Sequence, residues 1–316
     1  MGRLKEQLET KPVLILDGAL GTELEYRSYD VSGNLWSAKY LIEKPEAIQD
    51  LHETYMEAGA DILTTSTYQA TFPGLIEAGL SKTDAEKVLR LTVALAKTAR
   101  EKVWSSLLEE EKAKRSYPLI GGDIGPYAAY LADGSEYSGD YGEITVEALK
   151  AFHRPRIAIL LEEGVDFLIL ETVPNGREAQ ALVELLSEEF STVEAYLSVT
   201  SPNGASLPDG TPIEQIGSLV EMSNQVLAVG INCSAPKVVT EALSVLSRST
   251  SKPLVTYPNS GEIYDGATQT WSEDADHSHS LLENTQAWQT QGAKIVGGCC
   301  RTRPSDIADL SQGLRG

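Results

Sequence analysis

Short apolar runs alternate with amphipathic stretches from one end of the chain to the other, and that alternation leaves few folds open. Val13-Leu14-Ile15-Leu16, Asp61-Ile62-Leu63-Thr64-Thr65, Pro118-Leu119-Ile120-Gly121-Gly122 and Asp166-Phe167-Leu168-Ile169-Leu170 are brief and centred on apolar runs, as strands buried on both faces are. Runs at 194–199, 226–231, 253–257 and 294–297 continue the series. Between and after them the pattern changes to helical spacing at 45–58, 82–110, 144–163, 177–189, 213–225, 236–247, 280–291 and 304–314. In the first of these, Ile48, Leu51, His52, Tyr55 and Met56 share one face. Ala58-Gly59-Ala60-Asp61-Ile62, Glu163-Gly164-Val165-Asp166-Phe167 and Gln291-Gly292-Ala293-Lys294-Ile295 repeat one device, a glycine that ends a helix and starts a strand. Strands and helices in strict alternation, with no break in composition over 316 residues, predict a single (β/α)8 TIM-type barrel domain spanning 1–316.

Working residues in such a barrel lie at the C-terminal ends of the strands. Asp17, Thr65, Ser66, Asp123, Glu171, Asn232, Cys233, Tyr257, Asn259, Cys299 and Cys300 all fall there. Lys11, Lys252 and Lys294 precede or open their strands and fall at the opposite end. A Schiff-base aldolase needs a desolvated lysine at the mouth, and none is offered. Gly121, Gly122 and Gly125 surround Asp123, whose carboxylate opposes a phosphate, so a phosphate loop is the minor reading.

The three cysteines, Cys233 and the adjacent Cys299 and Cys300, each follow an apolar run. Three thiolates gathered at strand ends form a zinc ligand set with one position open, as catalytic sites have. Two plainer readings compete. Cysteine is among the most buried residue types, which makes the three core fillers. Alternatively the adjacent pair closes a vicinal disulfide and leaves Cys233 over. Gly297 and Gly298 favour the metal, because they let the backbone approach a ligand closely. The histidines stand apart: His52 on a helical face, His153 beside Arg154-Pro155, His277 and His279 in a polar loop rich in Asp and Ser.

Charge narrows the partners. Asp+Glu total 46 against 26 Lys+Arg, a net charge of −20 that argues against nucleic acid or an anionic membrane surface and suits a cationic small molecule. No apolar run approaches the ~20 residues of a membrane span. Met1-Gly2-Arg3-Leu4-Lys5-Glu6 lacks the apolar region of a signal peptide, and an odd cysteine count fits a reducing compartment. A cytoplasmic monomer or small homo-oligomer is expected.

Read in order, the strand ends resemble the homocysteine S-methyltransferase family, zinc-dependent barrels that methylate the sulfur of homocysteine to give methionine. The segments are Asp17-Gly18-Ala19-Leu20-Gly21-Thr22, Thr64-Thr65-Ser66-Thr67-Tyr68-Gln69, Gly122-Asp123-Ile124-Gly125-Pro126, Glu171-Thr172-Val173-Pro174, Gly230-Ile231-Asn232-Cys233, Tyr257-Pro258-Asn259-Ser260-Gly261 and Gly297-Gly298-Cys299-Cys300-Arg301-Thr302. Each alone is weak; the ordered set, spread over nearly the whole chain, is specific. The resemblance implies Zn2+ on Cys233, Cys299 and Cys300, with Asp17 and Glu171 on the homocysteine ammonium. It further implies backbone amides beside Gly18 and in the Asp123 turn on the homocysteine carboxylate, and Asn232 orienting the metal site from behind.

Leu35-Trp36-Ser37-Ala38 looks like the branch that uses S-methylmethionine or S-adenosylmethionine. That likeness puts Trp36 on a donor-side lid, its indole over a sulfonium cation; a Trp36 that simply packs its loop is the alternative. The betaine-using branch carries a tyrosine able to ligate zinc after the strand-four glutamate, where this chain has Thr172. The implied partners are small molecules, homocysteine and a sulfonium methyl donor. Two rival functions remain: a small-molecule-binding barrel with a structural metal, and a zinc lyase or hydrolase, which more usually has His or carboxylate ligands.

Overall fold

The computed structural model describes residues 3–32, 35–261, 263–265, 270–272 and 279–315. Eight parallel strands form one sheet: β1 (Leu14–Ile15), β2 (Ile62–Thr64), β3 (Leu119–Ile124), β4 (Phe167–Val173), β5 (Ala195–Val199), β6 (Val226–Asn232), β7 (Leu254–Tyr257) and β8 (Ala293–Val296). Their spatial order is β1-β8-β7-β6-β5-β4-β3-β2. Leu16 bridges to Ile62, the Asp61 amide donates to the Ile15 carbonyl and the Asp17 amide to the Ile62 carbonyl, which joins β1 to β2 and completes the ring. The expected (β/α)8 TIM-type barrel is present.

Eight helices surround it: Pro45–Ala58, Lys82–Ser106, Val146–Glu162, Gly176–Glu189, Ile213–Glu221, Pro236–Ser249, Leu281–Thr290 and Pro304–Arg315. Local chemistry explains their ends. Pro45 opens the first and left-handed Gly59 closes it. Ser81, Thr145, Asn175 and Ser280 cap others through side-chain oxygens. Gly59, Gly164 and Gly292 have φ of 113°, 74° and 106°, so the repeated glycine device is one conformation used three times. Two expected helices are shorter than their patterns. Leu107 is extended and stops the 82–110 stretch at Ser106, before a separate turn at Glu109–Lys112. The 213–225 stretch stops at Glu221, because the Ser223 hydroxyl accepts from the Gln225 and Val226 amides and turns the chain into β6.

Alternation along each strand sorts side chains into two layers. Phe167, Ile169, Tyr196, Ala228, Val255, Tyr257 and Ile295 fill the barrel, while Leu168, Leu170, Leu197, Val229 and Ile231 pack outward against helices. Continued upward, the same parity points Asp123, Glu171 and Asn232 into the mouth. The other end is stoppered by a helix absent from the sequence pattern, Arg3–Thr10, whose Leu4 and Leu8 join the inner layer. Burying each leucine contributes roughly 1.5–3 kcal/mol. Lys252 and Lys294 spend their charge there too, on the carbonyls of Val220, Ser223 and Val226 and of Leu8 respectively. Among the described residues no helix is long and apolar enough to cross a membrane.

Candidate active and metal site

β6 ends at Asn232, and Cys233 beyond it takes a left-handed φ of 50°. The backbone after β7 holds the cysteine segments together from both sides. The Cys233 amide donates to the Tyr257 carbonyl (3.2 Å), the Cys299 amide to Pro258 (2.7 Å), and the Ser260 amide to the Cys300 carbonyl (3.0 Å). Glycine is required at 297 and 298. A Cβ on Gly297 would stand 2.8 Å from Leu16 Cβ, and one on Gly298 2.2 Å from Thr302 Oγ1.

The three Sγ atoms lie within 4.8 Å of one another, Cys233 and Cys300 being 3.8 Å apart. A tetrahedral zinc with Zn–S near 2.3 Å requires S···S edges of about 3.8 Å. All three cysteines are free and half-buried; Cys299 also packs against the inner layer of the barrel, and no disulfide joins the adjacent pair. They form a candidate metal site, and no second group of three ligating side chains gathers among the described residues. His52 is buried, its pKa pushed down to about 4 by that burial; His279 is exposed, and His277 lies outside the described residues.

Three carboxyl groups line the mouth beside the sulfurs. Asp17 is buried and accepts from the Thr64 amide (2.8 Å) and hydroxyl (2.7 Å); burial raises its pKa to about 7 against those bonds. Burial likewise raises Glu171 to about 8, aided by negative charge on Cys299 and Asp17. The Tyr257 hydroxyl lies near enough to Glu171 to lower its pKa, yet makes no hydrogen bond of good geometry. Asp123 is raised well above the carboxylate range by burial and by the Glu171 charge, with Arg156 pulling it back. Its Oδ1 is buried without a hydrogen-bond partner. Asp123 and Glu171 hydrogen-bond each other, and none of the three joins an ion pair among the described residues, so burial disfavours their charged forms. The alternative of a carboxylate neutralised by a mouth arginine is not realised at Asp17 or Glu171.

Asn232 acts on a different neighbour from the one expected. Its Oδ1 accepts from the Thr172 amide (3.0 Å) and the Ser198 hydroxyl (2.8 Å), and its Nδ2 donates to Thr172 Oγ1 (2.7 Å). Thr172 has φ of 57°, costly for a β-branched residue. Asn232 therefore clamps the strained corner after Glu171, and it adjoins the three-cysteine cluster through the backbone of Cys233. Gly18 lies under Tyr55, whose Cε1 would be 2.8 Å from a Cβ there. The Asp123 amide, expected to be available to a substrate carboxylate, is already taken by Thr65 Oγ1 (2.9 Å). Trp36 opens the 3₁₀ turn Trp36–Lys39 and lays its ring on Gly21, where a Cβ would be 2.1 Å from a ring carbon. The loop-packing contact of Trp36 thus exists, and the residue is only half-buried.

Tyr68 and Glu136 were not singled out by sequence. Glu136 sits in the short helix Ser135–Ser138 between left-handed Gly134 and Gly139, and the Tyr68 hydroxyl donates to its Oε1. Behind them the buried Arg156 donates to the carbonyls of Thr67 (3.1 Å), Tyr68 (3.4 Å) and Gly125 (2.5 Å), its pKa lowered to about 10 by burial. His153 stands 3.2 Å from Arg156 and 2.8 Å from Glu178, so it serves this buried network. The only advance signal for Glu136 was a polar stretch between glycines after β3.

Comparison with known proteins accords with this site. The sequence model of the homocysteine S-methyltransferase family matches residues 14–314. The homocysteine S-methyltransferase of Escherichia coli K12 is 45% identical over 307 residues, 97% of each chain. That of Bacillus subtilis 168 is 42% identical over 315 residues, 100% of this chain and 98% of the relative. Among solved structures, the metallated form of the homocysteine methyltransferase from E. coli matches with a TM-score of 0.86 at 41% identity, covering 98% of this chain and 99% of that one. The chain belongs to the homocysteine S-methyltransferase family.

Proposed function

We infer that the protein transfers a methyl group from a sulfonium donor to the thiol of L-homocysteine, giving methionine, at a Zn2+ held by Cys233, Cys299 and Cys300. The observation that carries this reading is the gathering of three cysteine sulfurs within 4.8 Å of one another at a barrel mouth that also holds the carboxyl groups of Asp17, Asp123 and Glu171. The metallated state described for the E. coli relative supports a metal here.

A free thiol with a pKa near ~8.5 is only slightly ionised at neutral pH. A zinc held by Cys233, Cys299 and Cys300 would favour the thiolate form of the substrate sulfur, the nucleophile of the reaction. Three cysteine thiolates as its ligands would keep that substrate sulfur electron-rich and reactive. Asp17 and Glu171 receive the substrate ammonium, whose charge relieves the penalty of their burial. Backbone amides beside Gly18 and Gly125 take its carboxylate. A lone pair of the acceptor sulfur forms the new S–CH3 bond as the donor's S–CH3 bond breaks. The electron pair of the broken bond stays on the donor sulfur, which leaves as a neutral thioether. The thiol proton passes to solvent, and the step needs no general base.

The likeness of the Trp36 segment to the sulfonium-using branch, together with Thr172 in place of a zinc-ligating tyrosine, favours a sulfonium over betaine and Trp36 as a face for it, and the lack of an adenine-specific segment beyond the shared barrel motifs favours S-methylmethionine over S-adenosylmethionine. Rates of methionine formation from homocysteine with S-methylmethionine, S-adenosylmethionine and betaine test this. The expected result is the highest kcat/KM with S-methylmethionine, two methionines per turnover, and no reaction with betaine. A higher kcat/KM with S-adenosylmethionine would reverse the donor preference. Absence of methionine with every donor would overturn the function.

A further inference from the structure

A sulfonium carries a positive charge that no proton transfer can remove, and that charge disappears when the methyl leaves. A carboxylate aimed at the donor sulfur therefore binds substrate and releases product by one electrostatic term. Asp17 and Glu171 are committed to the acceptor ammonium, which leaves the question of what faces the donor.

We propose that Glu136 is the counter-charge for the donor's sulfonium, with Tyr68 as the positioning residue that aims it. The proposal rests on the methyl-transfer reading above. A glutamate in a short surface helix ordinarily extends into water; this one is half-buried and turned inward to the Tyr68 hydroxyl. It has no lysine or arginine partner among the described residues. Tyr68 lies on the loop after β2 and Glu136 on the loop after β3, at the same end of the barrel as the three sulfurs.

Both members are held rigidly. Asn175 Nδ2 donates to the Gly139 carbonyl (2.8 Å), and a Cβ on Gly139 would lie 2.5 Å from the Asp209 amide nitrogen, so the Glu136 helix is seated on the loops after β4 and β5. Arg156 binds the Tyr68 carbonyl, and Gly125 packs so closely that a Cβ there would stand 2.5 Å from that same oxygen. An arrangement fixed on three loops suits a charge that must be placed, which a solvated surface glutamate does not need.

The test is the preference for S-methylmethionine over methionine, which differ by one methyl and one charge, measured by calorimetry on the zinc-loaded protein at pH 8. Glu136→Gln keeps the shape and can keep the Tyr68 contact; it should reduce the preference at least tenfold, with methionine affinity, homocysteine affinity and zinc content unchanged. Glu136→Asp should retain part of the preference, and Tyr68→Phe should lose part. An unchanged preference in Glu136→Gln overturns the proposal. So does an equal loss for S-methylmethionine and methionine, which marks a structural role, and so does a loss confined to homocysteine. If the wild-type protein forms methionine while the preference survives in Glu136→Gln, only this inference fails. If the wild type binds neither donor nor homocysteine, the functional reading fails with it.

Discussion

Thr172 and Cys233 both hold left-handed backbone angles, and each lies one residue beyond a side chain at the mouth, Glu171 and Asn232. Strain of this kind costs about 1–3 kcal/mol per residue and persists only where neighbours over-determine it. Asn232 supplies that constraint with two bonds to Thr172. Asn232→Ala should strip the buried Thr172 amide of its acceptor and cost about 1–3 kcal/mol in urea unfolding, with KM for homocysteine raised and zinc retained. Unchanged stability would mean the corner is held by something else. Asp17 allows a pH experiment on the metal-free protein. Its native pKa of about 7 lies above the ordinary 3.8, so between those values the folded state binds more protons than the unfolded. Stability from this group is therefore present at low pH and lost as pH rises through that window. Asp17→Asn should flatten the decline in denaturant midpoint between pH 5 and pH 8 and weaken homocysteine binding by about 1.5–3 kcal/mol. A decline as steep as in wild type would contradict the buried-carboxyl account.

Elements with a strong period were legible, and those set by tertiary contacts were not. Pro45–Ala58 matches the expected helix because Pro, one apolar face and Gly all point the same way. The mouth residues Asp123, Glu171 and Asn232 could be placed because strand parity and strand ends follow from local pattern. Glu136 could not, since its inward turn depends on Tyr68 from another loop. Arg156 was hidden for the same reason: a charged residue beside Pro155 in a helix gives no sign that three carbonyls will bury it. Asn232 was recognised but assigned to the metal, because sequence adjacency to Cys233 outweighed a contact made across to β4. The Arg3–Thr10 helix is a further case, too short for its apolar spacing to stand out. Leu4→Ala should lower stability by about 2–5 kcal/mol by leaving a cavity at the closed end of the barrel. Zinc content and kcat should stay at wild-type values, and a loss of either would show that the stopper reaches the site.

At the scale of the whole molecule, the ring of eight strands brings together residues scattered from Asp17 to Cys300 and places the cysteines that follow β6 and β8 on either side of β7. A core of this size does not depend on one ion for its stability, unlike a small metal-nucleated domain. The barrel should therefore remain folded when the sulfurs are changed, which separates the site's chemistry from the fold that carries it. The most direct measurement is zinc content and methionine formation on the same preparations of wild type and of Cys233→Ser, Cys299→Ser and Cys300→Ser. The account predicts stoichiometric zinc and methionine synthesis from homocysteine and S-methylmethionine in wild type. Each variant should melt cooperatively, yet lose most of its zinc and fall to background activity. Full zinc and undiminished methionine formation in the Cys299→Ser and Cys300→Ser proteins would contradict it.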